Sequence, residues 1–282
     1  MSVGIVCDST CDLGLDYFES ARVEMVPLKV QIGENTYLDW VEMKPSEFYE
    51  KHRSAPEMPI TSQPSPADFA QAYAKLAAQG VEGIVAITLS AALSGTFQSA
   101  SMAADEAEVP VNVVDSKLVS VATGLCVKAA VAERDAGGDL TSVTEAARWT
   151  SENCRLFFVL DTLEYLVKGG RAGKAAGLAA SVLNIKPILK FNEEGIIEPF
   201  KKVKGLNKAF ATLAEHVAAE SAEQPMRASF MHAVAPDVLE DLKSAMVTAG
   251  ARLEVDFVGE IGPVIGNYAG SGAVGLAYVP IR

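Results

Sequence analysis

Short apolar runs that each break into a polar turn and then into a helical pattern recur along the first half of this chain, and that rhythm limits the architectures open to it. Val3–Cys7 ends at Asp8-Ser9-Thr10, Ile84–Leu89 leads into Ser90–Thr96, and Val111–Val114 ends at Asp115-Ser116. Phe69, Tyr73 and Leu76 share one face of a helix expected over Pro66–Gln79, and Leu118–Ala136 reads as a long helix closed by Gly137-Gly138. Ser65 and Asp68 have capping-box spacing, with Pro66 at the first helical position. Strand–helix alternation of this kind builds a parallel sheet with helices on both faces. Ligands of such sheets bind beyond the carboxyl ends of the strands, which is where these polar turns fall.

From about Thr150 the pattern changes. Arg155–Leu160 reads as a strand, Asp161 and Glu164 as a second capping box opening a short helix that stops at Gly169-Gly170, and an alanine-rich helix follows. Ile185–Phe191 reads as extended, and Asn192-Glu193-Glu194-Gly195 is a hairpin signal leading into Ile196–Val203. Two helix–strand pairs, Asn207–Ser221 with Arg227–His232 and Pro236–Ala249 with Arg252–Phe257, precede a last apolar run at Ala273–Val279. A hairpin inside an αβ series predicts a mixed sheet. The expectation is an α/β chain of two domains, a parallel-sheet α/β/α domain over 1–150 and a mixed-sheet α/β domain over 151–282. No low-complexity linker separates them, so close packing around a cleft is expected.

Composition removes several function classes. With 24 basic against 36 acidic residues the formal charge is −12, which disfavours nucleic acid and anionic membranes. No leader pattern is read at the N-terminus and no apolar stretch is long enough for stable membrane insertion, so a cytoplasmic setting is expected. Cys7, Cys11, Cys126 and Cys154 form no Cys-x-x-Cys pair and the histidines are scattered, so no metal site is expected. Gly270-Ser271-Gly272-Ala273-Val274-Gly275 matches a dinucleotide fingerprint only formally, because the chain ends at Arg282 with no helix to follow. No phosphate-binding loop, no nucleophile elbow and no histidine beside the hydroxyl-rich loops is found.

Two hydroxyl-rich loops remain, Thr61-Ser62-Gln63-Pro64-Ser65 and Leu93-Ser94-Gly95-Thr96-Phe97-Gln98-Ser99-Ala100, each at a hand-over into a helix. Each alone is explained as a helix start. As a pair at one sheet edge they are suited to an anion, because free N–H groups and the helix dipole converge there. A serine without a base is a weak nucleophile, so Ser62 and Ser94 are read as hydrogen-bond donors.

These loops belong to a longer series: Asp8-Ser9-Thr10, Asp161-Thr162-Leu163-Glu164-Tyr165-Leu166, Gly169-Gly170-Arg171, Leu183-Asn184-Ile185-Lys186-Pro187-Ile188-Leu189 and Gly262-Pro263-Val264-Ile265-Gly266. In order and over the whole chain, the series resembles the DegV family. The resemblance implies a DegV-like two-domain fold and a bacterial cytoplasmic lipid-binding protein, not itself an enzyme. It would hold a long-chain fatty acid as ligand, without a cofactor, at the domain interface. A separate ATP-dependent kinase subunit would phosphorylate the carboxylate, feeding phospholipid synthesis. Thr61 and Ser94 are then the main ligand contacts, with Ser62, Gly95, Thr96 and Tyr268 nearby and Arg171 at the carboxylate end. Burying about fourteen methylenes at ~0.8 kcal/mol each gives roughly 11 kcal/mol of gross driving force, while the carboxylate needs hydrogen bonds once out of water.

Two departures from the family pattern stand out. Lys202-Val203-Lys204-Gly205-Leu206 replaces a run richer in arginine, and lysine lacks the planar fork. Tyr268 occupies the usual histidine position, where it can donate a hydrogen bond but carries no positive charge near neutral pH. Two rivals follow: an esterase or acyltransferase using a pocket hydroxyl, and a lipid-loaded adaptor without a kinase partner.

Overall fold

The computed structural model describes residues 2–178 and 185–282. The chain begins β1 (Val3–Asp8), α1 (Leu15–Ser20), β2 (Val23–Val26), β3 (Lys29–Ile32), β4 (Asn35–Leu38), α2 (Pro45–Ser54) and β5 (Ile60–Ser62). It continues α3 (Pro66–Ala78), β6 (Gly83–Thr88), α4 (Thr96–Ala104), β7 (Val111–Asp115), α5 (Ser120–Asp135) and α6 (Leu140–Asn153). Then come β8 (Arg155–Val159), α7 (Glu164–Lys168), β9 (Ile185–Phe191), β10 (Ile197–Lys204), α8 (Leu206–Glu220) and β11 (Met226–His232). The chain closes with α9 (Pro236–Thr248), β12 (Leu253–Glu260), α10 (Pro263–Ala269) and β13 (Val274–Pro280).

The alternation yields the expected parallel sheet, ordered β2-β1-β6-β7. Because side chains alternate along a strand, β1 and β6 feed two cores. Val6, Ile84 and Ala86 meet Phe69, Tyr73 and Ala100 of α3 and α4, while Ile5, Cys7, Val85 and Ile87 meet Leu125, Cys126 and Val143 of α5 and α6. That second core also takes in Leu156, Phe158, Met231 and Ala277 of the other large sheet. This mixed sheet runs β10-β9-β8-β13-β11-β12, antiparallel except for β11 with β12, and α8 and α9 cover its far face through Phe210, Leu213 and Leu242. Helices α5 and α6 are thus shared between two sheets, giving the layer order helix, parallel sheet, helix, mixed sheet, helix.

Three departures from the sequence reading have local causes. A small antiparallel sheet, β4-β3-β5, carries Thr61 and Ser62, so the two hydroxyl-rich loops do not stand at the edge of one sheet. Its strands are three or four residues long and half exposed, too short for a period to show. The second capping box does not form. Asp161 instead pairs with Lys186 at 2.8 Å, Glu164 pairs with Lys168, and α7 begins without a side-chain cap. Where an alanine-rich helix was expected, Gly173–Leu178 forms a 3-10 turn, and the rest of that segment, with Leu183-Asn184 of the family series, lies outside the described residues.

Candidate functional site

A cavity of about 320 Å³ is lined by residues of the mixed sheet, of the small sheet and of the loops that follow strands of the parallel sheet. Its walls divide by chemistry. Leu28, Leu89, Val119, Phe158, Leu160, Ile197, Met231, Ile261, Val264, Ala273 and Val274 are all buried and apolar. Thr61, Ser62, Gln63, Ser94, Arg171 and Tyr268 form the polar part, and each of these stays partly or fully exposed. The polar groups, with the partly exposed Leu93, Phe191 and Ile265, therefore form a collar at the surface, and the buried part of the wall is apolar throughout.

The collar is assembled from distant segments. Thr61 rides on β5, opposite Val30 of β3. Tyr268, near the end of α10, reaches across to it, and the two hydroxyl oxygens stand 2.5 Å apart. Arg171 follows α7 through a glycine pair. Gly170 has φ of +71°, where a side chain is strained, and a Cβ on Gly169 would lie 2.4 Å from the Tyr268 ring. The Gly-Gly-Arg run thus turns the chain back so that the Arg171 guanidinium lies over the Tyr268 ring, 5.1 Å from its centre, a cation–π contact. Two of its N–H groups are anchored on the carbonyls of Leu93 (3.3 Å) and Gly169 (2.8 Å). Ser94 hydrogen-bonds the Thr96 hydroxyl at 2.9 Å.

Five of the expected site residues, Thr61, Ser62, Ser94, Arg171 and Tyr268, are thus brought to one cavity. Gly95 and Thr96 are not on its wall: Gln63 packs onto Gly95, and Thr96 is fully buried at the start of α4. The start of α3 is closed, because the Asp68 carboxylate accepts from the Ser65 N–H (2.8 Å) and hydroxyl (2.9 Å), while Ser65 accepts from the Asp68 N–H. The collar therefore offers side-chain donors, while α4 starts from Gly95, next to Ser94, without a side-chain cap. Most hydroxyls at the carboxyl edge of the parallel sheet are likewise spent internally, Ser9 on Asp39, Thr10 on Asp8, Ser90 on the Gly195 carbonyl and Ser120 on Asp12. Sequence reasoning missed Gln63 and the whole apolar wall, whose residues are indistinguishable in sequence from ordinary core.

Two buried carboxylates support this end of the cavity. Asp39 accepts from the Ser9 hydroxyl (2.6 Å) and the Val264 N–H (3.2 Å), and Asp12 accepts from Ser120, Trp40 and the Gly262 N–H. Gly262 has no room for a side chain, since a Cβ there would lie 2.3 Å from the Trp40 indole nitrogen. Burial raises the Asp39 carboxyl from its ordinary 3.8 to about 7, against the opposing hydrogen bonds from Ser9 and Val264 and with help from the Asp8 charge. Asp12 and the Tyr49 hydroxyl also face it, both pushed upward by burial. A carboxyl raised on folding contributes stability below its unfolded value, and that contribution is lost as pH rises towards about 7. Asp39→Asn is therefore expected to lower the melting temperature more at about pH 5 than at about pH 8. Thermal melts of both proteins across that range check this, and an effect that grows with pH contradicts it.

Among the described residues no group of three or more His, Cys, Asp or Glu is placed to hold a metal ion, and no helix is long and apolar enough to cross a membrane. All four cysteines are free and buried. Fold and cavity together define a layered α/β protein with a parallel and a mixed sheet and an apolar chamber behind a polar collar. The model of the family described as uncharacterised proteins, DegV family, matches residues 2–281. A DegV domain-containing protein of Streptomyces coelicolor is 37% identical over 277 residues, 97% of each chain. Among solved structures, a fatty-acid-binding DegV family protein from Thermus thermophilus superposes with a TM-score of 0.93 at 33% identity, covering 100% of both chains. A stearic acid-binding protein from Eubacterium ventriosum does so with 0.89 at 27% identity, covering 99% of this chain and 98% of that one. The chain belongs to the DegV family.

Proposed function

We propose that this protein binds one long-chain fatty acid non-covalently, with the tail in the apolar chamber and the carboxylate at the collar. The observation that carries the reading is the division of the cavity wall, buried and apolar within, polar and exposed at the surface. Thr61 and Ser94 donate to the carboxylate, Ser62 and Tyr268 stand beside them, and Arg171 offsets its charge. Such a ligand gains from burial of every methylene while its charged end keeps hydrogen bonds. The two expected domains, 1–150 and 151–282, would close on the lipid from either side. Fatty acid binding in the Thermus thermophilus and Eubacterium ventriosum proteins supports the same use of the chamber here.

At the collar the carboxylate is within reach of a partner, which suits presentation to a separate ATP-dependent kinase subunit in the cytoplasm. An acyl phosphate made there would supply phospholipid synthesis, and Arg171 would steady charge on the transferring group. Hydrolysis by a pocket hydroxyl has less support, because no histidine lines the cavity among the described residues and Ser94 is paired with Thr96. The test is titration of delipidated protein with oleate, then addition of ATP and a cognate kinase subunit with hydroxylamine to trap acyl phosphate as hydroxamate. One oleate bound per chain and hydroxamate only with all components present are expected. Binding without hydroxamate would remove the kinase role and leave the binder.

A further inference from the structure

We propose that Asp12 and Asp39 are positioning residues for the carboxylate end of the cavity, holding the start of α10 so that Tyr268 meets Thr61. The inference rests on the fatty-acid reading above and deepens it. Helix α10 has only seven residues, too few to persist without outside support. Its opening N–H groups have no partner inside the helix. Pro263 carries no N–H, which leaves those of Gly262, Val264 and Ile265, and the two carboxylates take the first two at 3.0 and 3.2 Å. The Tyr49 hydroxyl fixes the neighbouring Ile261 carbonyl at 3.0 Å.

Each carboxylate is in turn held by parts of the fold outside α10. Asp12 is bound by the Ser120 hydroxyl at the start of α5, and Asp39 by the Ser9 hydroxyl after β1. Both aspartates are at most 2% exposed, and among the described residues neither has an ion-pair partner. Burying a carboxylate without a cation is costly, and an apolar side chain would pack the same space at less expense. What the two aspartates provide is direction. They fix the first turn of a helix that sends Val264, Ile265, Tyr268 and Ala269 to the cavity wall. Tyr268 then presents its hydroxyl to Thr61, which arrives on a different sheet from a position 207 residues earlier.

A purely structural role and a positioning role differ in what they do to different ligands. The test compares oleate with methyl oleate, whose ester lacks the charge, in Asp39→Ala, Tyr268→Phe and the double variant. Asp39→Ala is expected to weaken oleate about tenfold, the scale of one displaced hydrogen bond to a charged group, and methyl oleate by less than about twofold. In the Tyr268→Phe background it should weaken oleate by less than about twofold, since the group it positions is already gone. Equal losses for both ligands, or the same loss in both backgrounds, would overturn the proposal. Should Asp39→Ala not fold, Asp39→Asn keeps the shape and one acceptor. A smaller loss of about threefold with the same dependence on ligand and background is then expected, and independence of both overturns the proposal equally. Wild-type protein that binds neither ligand would instead bring down the fatty-acid reading on which this one stands.

Discussion

Replacing Thr61 and Ser94 together by alanine is expected to leave a folded protein that holds oleate at least about a hundredfold more weakly than the wild type. Both side chains reach the collar and neither is part of the buried cores. Each hydrogen bond to a charged group is worth about 1.5–3 kcal/mol, and a carboxylate left without both is also badly solvated at the edge of an apolar chamber. Tyr268 loses its partner in the change but keeps the Arg171 contact. A cooperative thermal transition with wild-type circular dichroism, measured beside the affinity, separates lost binding from lost fold. Affinity within about threefold of wild type in a folded double variant would move the carboxylate site elsewhere.

The tail should weigh at least as much as the head. Octanoate has eight fewer methylenes than palmitate, and at ~0.8 kcal/mol each the gross difference is about 6 kcal/mol. Imperfect burial reduces that figure, so octanoate is expected to bind at least about a hundredfold more weakly than palmitate. The carboxylate contacts are the same for both acids, so this comparison reports on the wall formed by Phe158, Met231, Val264 and their neighbours. Competition between the two acids for one fluorescent fatty acid measures it directly. Near-equal affinities would mean that the chamber does not take the tail.

How much of this was readable in the sequence depended on how far apart the interacting residues lie. The Ser65–Asp68 cap formed as read because its partners are three residues apart. The Asn192–Gly195 hairpin also formed, with the Asn192 side chain accepting from the N–H groups of Glu194 and Ile196. The same capping pattern failed at Asp161 because Lys186, distant in sequence, claims the carboxylate. Thr61 and Tyr268 were singled out separately, yet nothing local says that they touch. The glycines at 169 and 262 were visible as motif members, but their reason, room for the Tyr268 ring and the Trp40 indole, exists only in three dimensions. Gly95 and Thr96, read as donors, do not line the cavity, because Gln63 packs onto Gly95 and Thr96 is buried. The chamber itself was invisible, because Leu28 or Met231 has the same chemistry whether it faces a core or a tunnel.

A fatty acid is proposed to occupy that chamber. Mass spectrometry of an organic extract from natively purified protein, beside native mass spectrometry of the intact chain, tests it most directly. One long-chain acid per chain is expected, lost from the Thr61→Ala, Ser94→Ala double variant. Protein that emerges empty and then refuses both palmitate and oleate would contradict it.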